Sequence, residues 1–501
     1  MVSTEPRSLF PGTDDGALED ATEVPAVAAP EPSSMADIGL SDQIVIDLTL
    51  KTIRHLGTPS AYDLGERMAI PTAVLNEILE RMKDDGLVEI GGAVGGRHVE
   101  YAFNLTVRGA ERALEAIDRS GYLGPAPLPF SRYLEMQEQQ SVRNTTITPE
   151  QVREALSSLV FSEELLNSVG AAITSGRSMM LYGPSGNGKS SITAAIRDMF
   201  SGTVLIPHAL EVDGQFIRVF DSRVHHPVEE EEHERPGAGS PILRSRRQDA
   251  RLVHCERPIV MVSGELTLET LELQYSSTGH FYNAPPQMQA NGGVLVIDDL
   301  GRQSVRPEDL LNRWITPMQS GWDQLRLHTG GTISVPFDVM LAFSTNFQPH
   351  ELGDEAFFRR IRHKVVVPNP TEEEFVRILE RNCEELNVAI RPAGLEYLLS
   401  VYRDGRREFR GCHPGDIVAN LLDLARFRSV QPELSAEQVR AAIASYFVED
   451  DHDDLAAANT RASQERSGQS PSGASSNGAG ADGTTGASLT ALPETDANGN
   501  V

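Results

Sequence analysis

Gly183-Pro184-Ser185-Gly186-Asn187-Gly188-Lys189-Ser190 has residue types and a spacing that suit one chemistry, the cradling of phosphate groups. Glycines let backbone N–H groups approach an anion, and a helix starting at the end of the loop turns its positive end toward the same charge. Lys189 would contact β- and γ-phosphates, the Ser190 hydroxyl would hold Mg²⁺, and Ser191 completes the binding stretch. A second stretch, Val294-Leu295-Val296-Ile297-Asp298-Asp299, ends four apolar residues in two carboxylates. Asp298 fits a Mg²⁺ coordination shell, and Asp299 fits a group that orients or deprotonates an attacking water. Leu341-Ala342-Phe343-Ser344-Thr345-Asn346 repeats the pattern, so that Asn346 could position that water.

These residues need a scaffold that brings distant strands together. Met179–Tyr182 and Val294–Ile297 read as buried parallel strands, whose C-terminal ends are where α/β proteins place ligands; Ser190–Phe200 reads as a helix. Lys189 and Asp298 are 109 positions apart, whereas two helices, one strand and their loops need only roughly 50. The excess falls in 208–258, where Gln215–Asp221 and Arg251–Cys255 look like strands around the charged run Glu229-Glu230-Glu231-Glu232-His233-Glu234. The expectation is an inserted β-hairpin arm, with His225, His226, His233 and His254 better explained as solvated loop histidines than as a metal site.

Residues 41–120 carry the element order of a winged helix. Helices are expected at Ile44–Leu56, from Thr58-Pro59 through Met68, and from Pro71, the last with Val74, Leu75, Ile78, Leu79 and Met82 on one face. Strands Leu87–Ile90 and Val99–Leu105 follow around a Gly-rich turn, and Thr106 caps a closing helix with Val107, Ala110, Leu114 and Ile117 inward. The third helix carries Glu77, Glu80, Asp84 and Asp85 against Arg81 and Lys83, which opposes contact with a phosphate backbone and favours docking to protein or intramolecular regulation. Residues 121–147 read as a Pro-rich linker, 148–370 as the α/β core and 371–450 as four helices with capping boxes at Thr371/Glu374 and Ser435/Gln438. Residues 1–40 and 451–501 read as disordered tails, with Met35 a candidate translation start. The net charge of −28 disfavours broad binding to nucleic acid or anionic membrane, and part of it lies in the tails: residues 1–40 hold eight acids and one base. Three dispersed cysteines suggest no disulfide framework, no run approaches the ~20 apolar residues of a membrane span, and no signal peptide is visible, so the expected compartment is cytoplasmic.

With its motifs in this order, the chain over about 145–450 resembles AAA+ ATPases, an α/β P-loop NTPase fold with a C-terminal helical lid. It looks most like MoxR-type chaperone ATPases and a bacterial group of winged-helix AAA+ proteins, a likeness that includes Gly264–Thr267 and Phe281–Pro286. The resemblance implies ATP and Mg²⁺ as cofactors, a ring homo-oligomer such as a hexamer, and remodelling of a protein partner. Asn346 matches the sensor-1 position, and Arg359 and Arg360 are the candidates for an arginine finger acting in a neighbouring subunit. Relatives carry Cys-His-Pro-Arg-Asp where this chain has Cys412-His413-Pro414-Gly415-Asp416, so a second sensor arginine is missing there and Arg410 is the substitute to consider. Many relatives have Glu at the position of Asp299, and the Gly-Ala-Phe-Thr-Gly-Ala loop of enhancer-dependent activators is absent. Tyr275, Phe281 and Tyr282 are candidate partner-gripping aromatics. A non-processive nucleotide switch and a DNA-associated ATPase of the helicase-loader or initiator type remain as alternatives.

Overall fold

The computed structural model describes residues 29–94, 100–200, 202–228, 248–353, 355–404 and 407–447. Every element below lies in the first of two units, Met1–Tyr446. Both expected disordered tails fall largely outside the described residues, as does the charged run 229–234. Residues 29–40 depart from the expectation of a tail. Ser34 caps the short helix α1 (Met35–Ile38), and Ile38 is fully buried. The Asp249 N–H donates to the Ala29 carbonyl at 2.9 Å, and Arg251, buried and paired with Asp249 at 2.8 Å, donates to the Ile38 carbonyl at 2.8 Å.

Helices α2 (Asp42–Leu56), α3 (Ala61–Met68) and α4 (Thr72–Asp84) precede an antiparallel pair, β1 (Val88–Val94) and β2 (Glu100–Leu105), and α5 (Val107–Arg119). The apolar face of α4 is buried at Val74, Leu75, Ile78, Leu79 and Met82. β1 runs four residues past the expected end at Ile90, with a register shift between Ile90 and Gly92; the rest of the Gly-rich turn lies outside the described residues. The inward face of α5 differs from the expected one. Gly109, Ala113 and Ala116 are buried, whereas Val107 is 80% and Leu114 47% exposed. Close approach explains this at the start of the helix: a Cβ at Gly109 would lie 1.9 Å from the Leu87 carbonyl oxygen, so no side chain fits there.

The stretch 121–147, read from its prolines as a linker, instead holds β3 (Leu128–Pro129) and α6 (Phe130–Gln139). Tyr133 and Met136 are buried, the Asn291 side chain donates to the Tyr133 hydroxyl at 2.9 Å, and Asp338 accepts from the Ser141 hydroxyl at 2.7 Å and the Val142 N–H at 3.2 Å. After α7 (Pro149–Ala155) and α8 (Glu163–Thr174) come β4 (Met179–Tyr182), α9 (Lys189–Met199), β5 (Thr203–Pro207), β6 (Ala209–Val212), β7 (Gln215–Arg218), β8 (Leu252–Glu256) and β9 (Ile259–Val262). Next are β10 (Gln274–Ser276), β11 (Phe281–Asn283), α10 (Pro286–Gln289), β12 (Val294–Ile297), α11 (Pro307–Ser320), β13 (Trp322–Arg326), β14 (Thr332–Pro336) and β15 (Met340–Thr345). The short helices α12 (Pro349–Leu352) and α13 (Glu355–Phe358) lead to β16 (His363–Val366).

Two five-stranded sheets result. The first, ordered β16-β4-β15-β12-β9, is parallel throughout and nearly all apolar in its central strands, as burial on both faces requires. The second, β10-β11-β7-β6-β3, draws its strands from three separate stretches of chain. The insert is therefore not a projecting hairpin. Its two expected strands do not pair with each other: β7 lies between β6 and β11, while β8 pairs with β5. Tyr282 is fully buried in this region, Tyr275 stacks on His328 at 3.8 Å, and the Tyr282 hydroxyl meets His328 Nδ1. His225 is fully buried, accepting from the Asp221 N–H at 3.0 Å through Nδ1 and facing the Gln289 carbonyl at 2.9 Å through Nε2; burial lowers its pKa. His254 Nε2 meets the Thr203 hydroxyl at 2.5 Å, and His233 lies outside the described residues. Among the described residues no cluster of metal-ligating side chains occurs.

The chain closes with α14 (Glu372–Glu385), α15 (Pro392–Arg403), α16 (Cys412–Arg428) and α17 (Ala436–Tyr446), tied by the two-residue strands β17 (Ala389–Ile390) and β18 (Glu433–Leu434). Among the described residues no helix is long and apolar enough to cross a membrane.

Candidate functional site

Three adjacent strands of the parallel sheet deliver the site at their C-terminal ends. β4 ends at Tyr182 and the chain turns through Gly183, Gly186 and Gly188, with φ of 141°, 82° and 86°, before α9 begins at Lys189. A Cβ at Gly183 would lie 2.3 Å from the Val367 carbonyl oxygen, so the first glycine is required by the approach of the strand beside it as well as by its φ. Lys189 is 5% exposed; its ammonium donates to the carbonyls of Gly183 at 2.9 Å and Pro184 at 2.8 Å and to Asn346 Oδ1 at 2.6 Å. Burial lowers its pKa, opposed by the charges of Asp299 and Asp298.

β12 leads into Asp298, whose carboxylate accepts from the Ser190 hydroxyl at 3.1 Å. The next residue, Asp299, takes a left-handed conformation at φ 50°, which turns its carboxylate toward β15, where the Asn346 amide donates to it at 3.3 Å. Asn346 thus joins Lys189 and Asp299. The turn is held by Gln303, 9% exposed, whose amide donates to the carbonyls of Asp298 at 3.1 Å and Ser263 at 3.3 Å and whose oxygen accepts from the Gly301 N–H at 2.9 Å.

A cavity of about 490 Å³ opens over the loop. Ser185–Ser191, Asp299 and Asn346 form its floor, Val160 and Phe161 one wall, and Ile378, Arg381, Asn382 and Cys412 from α14 and α16 the other. The C-terminal helices place Arg381 at this cavity; Arg410 does not line it. Arg381 donates to the Ser157 carbonyl at 2.8 Å, spanning from the helices to the segment before α8. The Ser190 hydroxyl and the Asp298 carboxylate are hard oxygen donors of the kind Mg²⁺ prefers, so the pair would fit that ion.

The remaining two candidates, Arg359 and Arg360, are elsewhere. They line a cavity of about 580 Å³ with Arg143, Arg177, Arg362 and Lys364. Arg177 precedes β4 and Arg362 precedes β16, so this basic cavity lies at the N-terminal ends of the strands whose C-terminal ends carry the loop. Sequence reasoning missed Gln303, Arg381, Asn369 and the contacts of Asn187. Only Asn187 had a signal, an amide side chain inside a loop that otherwise needs only backbone.

Residues 371–445 match a family described as Domain of unknown function (DUF8689). No curated protein matches the chain. Solved structures with a similar course include NtrX from Brucella abortus in complex with ADP, at 17% identity over 63% of this chain and TM-score 0.36, and its ATP complex, at 18% over 71% and TM-score 0.37. The chain spans 64% and 66% of the length of those two. The Thermotoga maritima RuvB Holliday junction branch migration motor matches at 15% identity over 65% of this chain and 80% of its own length, with TM-score 0.32.

Proposed function

We propose that the chain is an AAA+ ATPase that binds ATP with Mg²⁺, hydrolyses it between the subunits of a ring oligomer, and uses the cycle to remodel a protein partner. The observation that carries the reading is the convergence of Lys189 and Asp299 on Asn346, at 2.6 and 3.3 Å, beside the Ser190–Asp298 pair. On this reading the backbone of Gly183–Gly188 wraps the β-phosphate and Lys189 exchanges the loop carbonyls for β- and γ-phosphate oxygens. Ser190 and Asp298 hold Mg²⁺, which when bound neutralises charge on the β- and γ-oxygens. Asp299 and Asn346 position the attacking water, with Asp299 taking its proton. Arg359 and Arg360, at the far end of the sheet from their own loop, serve the γ-phosphate of a neighbouring copy, with Arg143 and Arg177 beside them.

The N-terminal module, read as a winged helix, serves as a docking domain for protein, and residues 371–450 as the lid. On α4, Arg81 pairs with Asp42 and Lys83 with Glu80, so both basic residues of the helix that would meet DNA are already engaged by carboxylates. One observation favours a slower nucleotide switch as the second reading: Asp299 is one methylene shorter than glutamate and reaches Asn346 only at 3.3 Å.

Mixing experiments test the first reading. Arg359→Ala/Arg360→Ala and Asp299→Asn each abolish turnover alone, and mixing them restores part of it, because some interfaces combine an intact loop with intact arginines. ATPase per subunit rises with protein concentration. Concentration-independent turnover with no recovery on mixing would replace the ring by the switch, and stimulation by DNA would move the target to nucleic acid.

A further inference from the structure

Asn187 is a buried residue of the phosphate loop whose side chain the proposed chemistry does not use. It is 4% exposed and directed toward the C-terminal helices. Its Oδ1 accepts from the Gly411 N–H at 3.0 Å, and its Nδ2 donates to Asn369 Oδ1 at 2.8 Å. Asn369 in turn donates through Nδ2 to Glu408 at 3.0 Å. The direction of this chain is fixed at both ends. A backbone N–H can only donate and an ionised carboxylate can only accept, so both amides are held in one orientation. Gly411 is the N-cap of α16, and Asn369 lies in the segment joining the parallel sheet to α14.

The backbones meet at the same place. A Cβ at Gly411 would lie 3.2 Å from the Gly186 carbonyl oxygen, and one at Gly186 would lie 2.5 Å from Cys412 Sγ. The helices in contact with the loop are those that close the cavity above it, through Ile378, Arg381 and Asn382 of α14 and Cys412 of α16.

We propose that Asn187 is a positioning residue, a two-ended latch by which an occupied phosphate loop sets the position of the C-terminal helices over the nucleotide. The inference rests on the reading that the loop binds a nucleoside triphosphate. An anion in the loop fixes the backbone from Gly183 to Gly188, and with it the Cα of Asn187. The two hydrogen bonds carry that position to the start of α16 and to the segment before α14, and so to Arg381. The amide contributes to turnover through the lid and contributes little to phosphate affinity.

Hydrogen–deuterium exchange of the full chain, with and without Mg²⁺ and a non-hydrolysable ATP analogue, tests this alongside steady-state hydrolysis. In the wild type the analogue protects both 183–191 and 408–418. In Asn187→Ala it still protects 183–191, with affinity within about threefold of wild type, while protection of 408–418 is lost and kcat falls at least tenfold. Asn369→Ala, which breaks the chain outside the loop, gives the same pattern. Asn187→Asp is defective because Asn369 must turn to donate to it and then presents its oxygen to Glu408; adding Glu408→Gln supplies a donor there and restores both kcat and lid protection. Retained protection of 408–418 in Asn187→Ala overturns the latch, and so does loss of analogue binding in Asn187→Ala and Asn369→Ala together. Absence of protection at 183–191 in the wild type overturns instead the nucleotide reading beneath it.

Discussion

Lys51 offers a prediction whose size follows from its surroundings. It is one of four lysines in the chain and is 2% exposed, with its ammonium donating to the Ser120 carbonyl at 2.7 Å and lying 5.5 Å from the centre of the Phe216 ring. It therefore joins α2 to the end of α5 and to β7 of the second sheet. Burial pulls its pKa down to about 8; Asp47 works against that shift and Arg119 with it. A base with a depressed folded-state pKa destabilises the fold while both states are protonated. That penalty is complete below about pH 8 and disappears as pH rises toward the unfolded value of 10.5. A shift of about 2.5 units corresponds to roughly 3 kcal/mol, and roughly 2 kcal/mol of it is recovered between pH 7 and pH 9.5. Lys51→Met removes the titration together with a pH-independent hydrogen bond worth about 1–2 kcal/mol. Urea unfolding of both proteins at the two pH values, followed by far-ultraviolet circular dichroism, isolates the titrating part: wild type should gain about 2 kcal/mol relative to Lys51→Met on going to pH 9.5. Selective ¹³Cε-lysine labelling gives four resonances, one of which should titrate near pH 8. A stability difference that is the same at both pH values, with no lysine signal moving below pH 9, would refute the account.

Gly183→Ala forces a side chain against the Val367 carbonyl at a φ of 141°, and should abolish ATP-analogue binding by calorimetry while lowering Tm. Asp299→Gly removes the carboxylate but relieves a left-handed residue, so Tm should hold or rise by a few degrees while hydrolysis falls at least a hundredfold and analogue binding persists. Arg251→Leu strands the Asp249 carboxylate in a buried site and should cost about 3–5 kcal/mol, releasing residues 29–40 to limited proteolysis; Arg251→Leu/Asp249→Leu should recover much of the stability. Lys189→Met should remove detectable ATP-analogue binding in the same calorimetric assay; unchanged affinity would detach the loop from the chemistry assigned to it.

Readings that depended on short-range chemistry fared differently from those that depended on pairing. Glycines at 183, 186 and 188 all adopt positive φ, and the four apolar residues before Asp298 are fully buried, because a turn and a central strand are each specified within a few residues. The second sheet was not legible. β3 pairs with β6 some 80 positions later and β7 with β11 some 65 later, and strands of two to five residues carry too little pattern to declare distant mates. β7 and β8 looked like partners because they flank one charged run, yet β8 lies on β5. In α5 the apolar residues pointed to the wrong face, since the approach of the Leu87 backbone demands glycine at 109 and the buried face runs on from there through Ala113 and Ala116. The β13–β14 hairpin alternates buried and exposed positions, but one inward residue is Asp323, paired with Arg313 at 2.6 Å, which hides the period.

The placement of the two cavities constrains how copies could meet. In a parallel sheet the C-terminal and N-terminal ends are different surfaces, and here one carries the loop with Asp298 and Asp299 while the other carries five arginines and a lysine. A head-to-tail contact would bring the basic cavity of one copy to a triphosphate held by the next, and such a contact repeats until it closes into a ring or extends as a filament. On the proposed reading the site is completed by association, and a monomer would hold nucleotide without the arginines that complete the charge balance. That dependence is why hydrolysis, more than nucleotide binding, should respond to protein concentration and to salt.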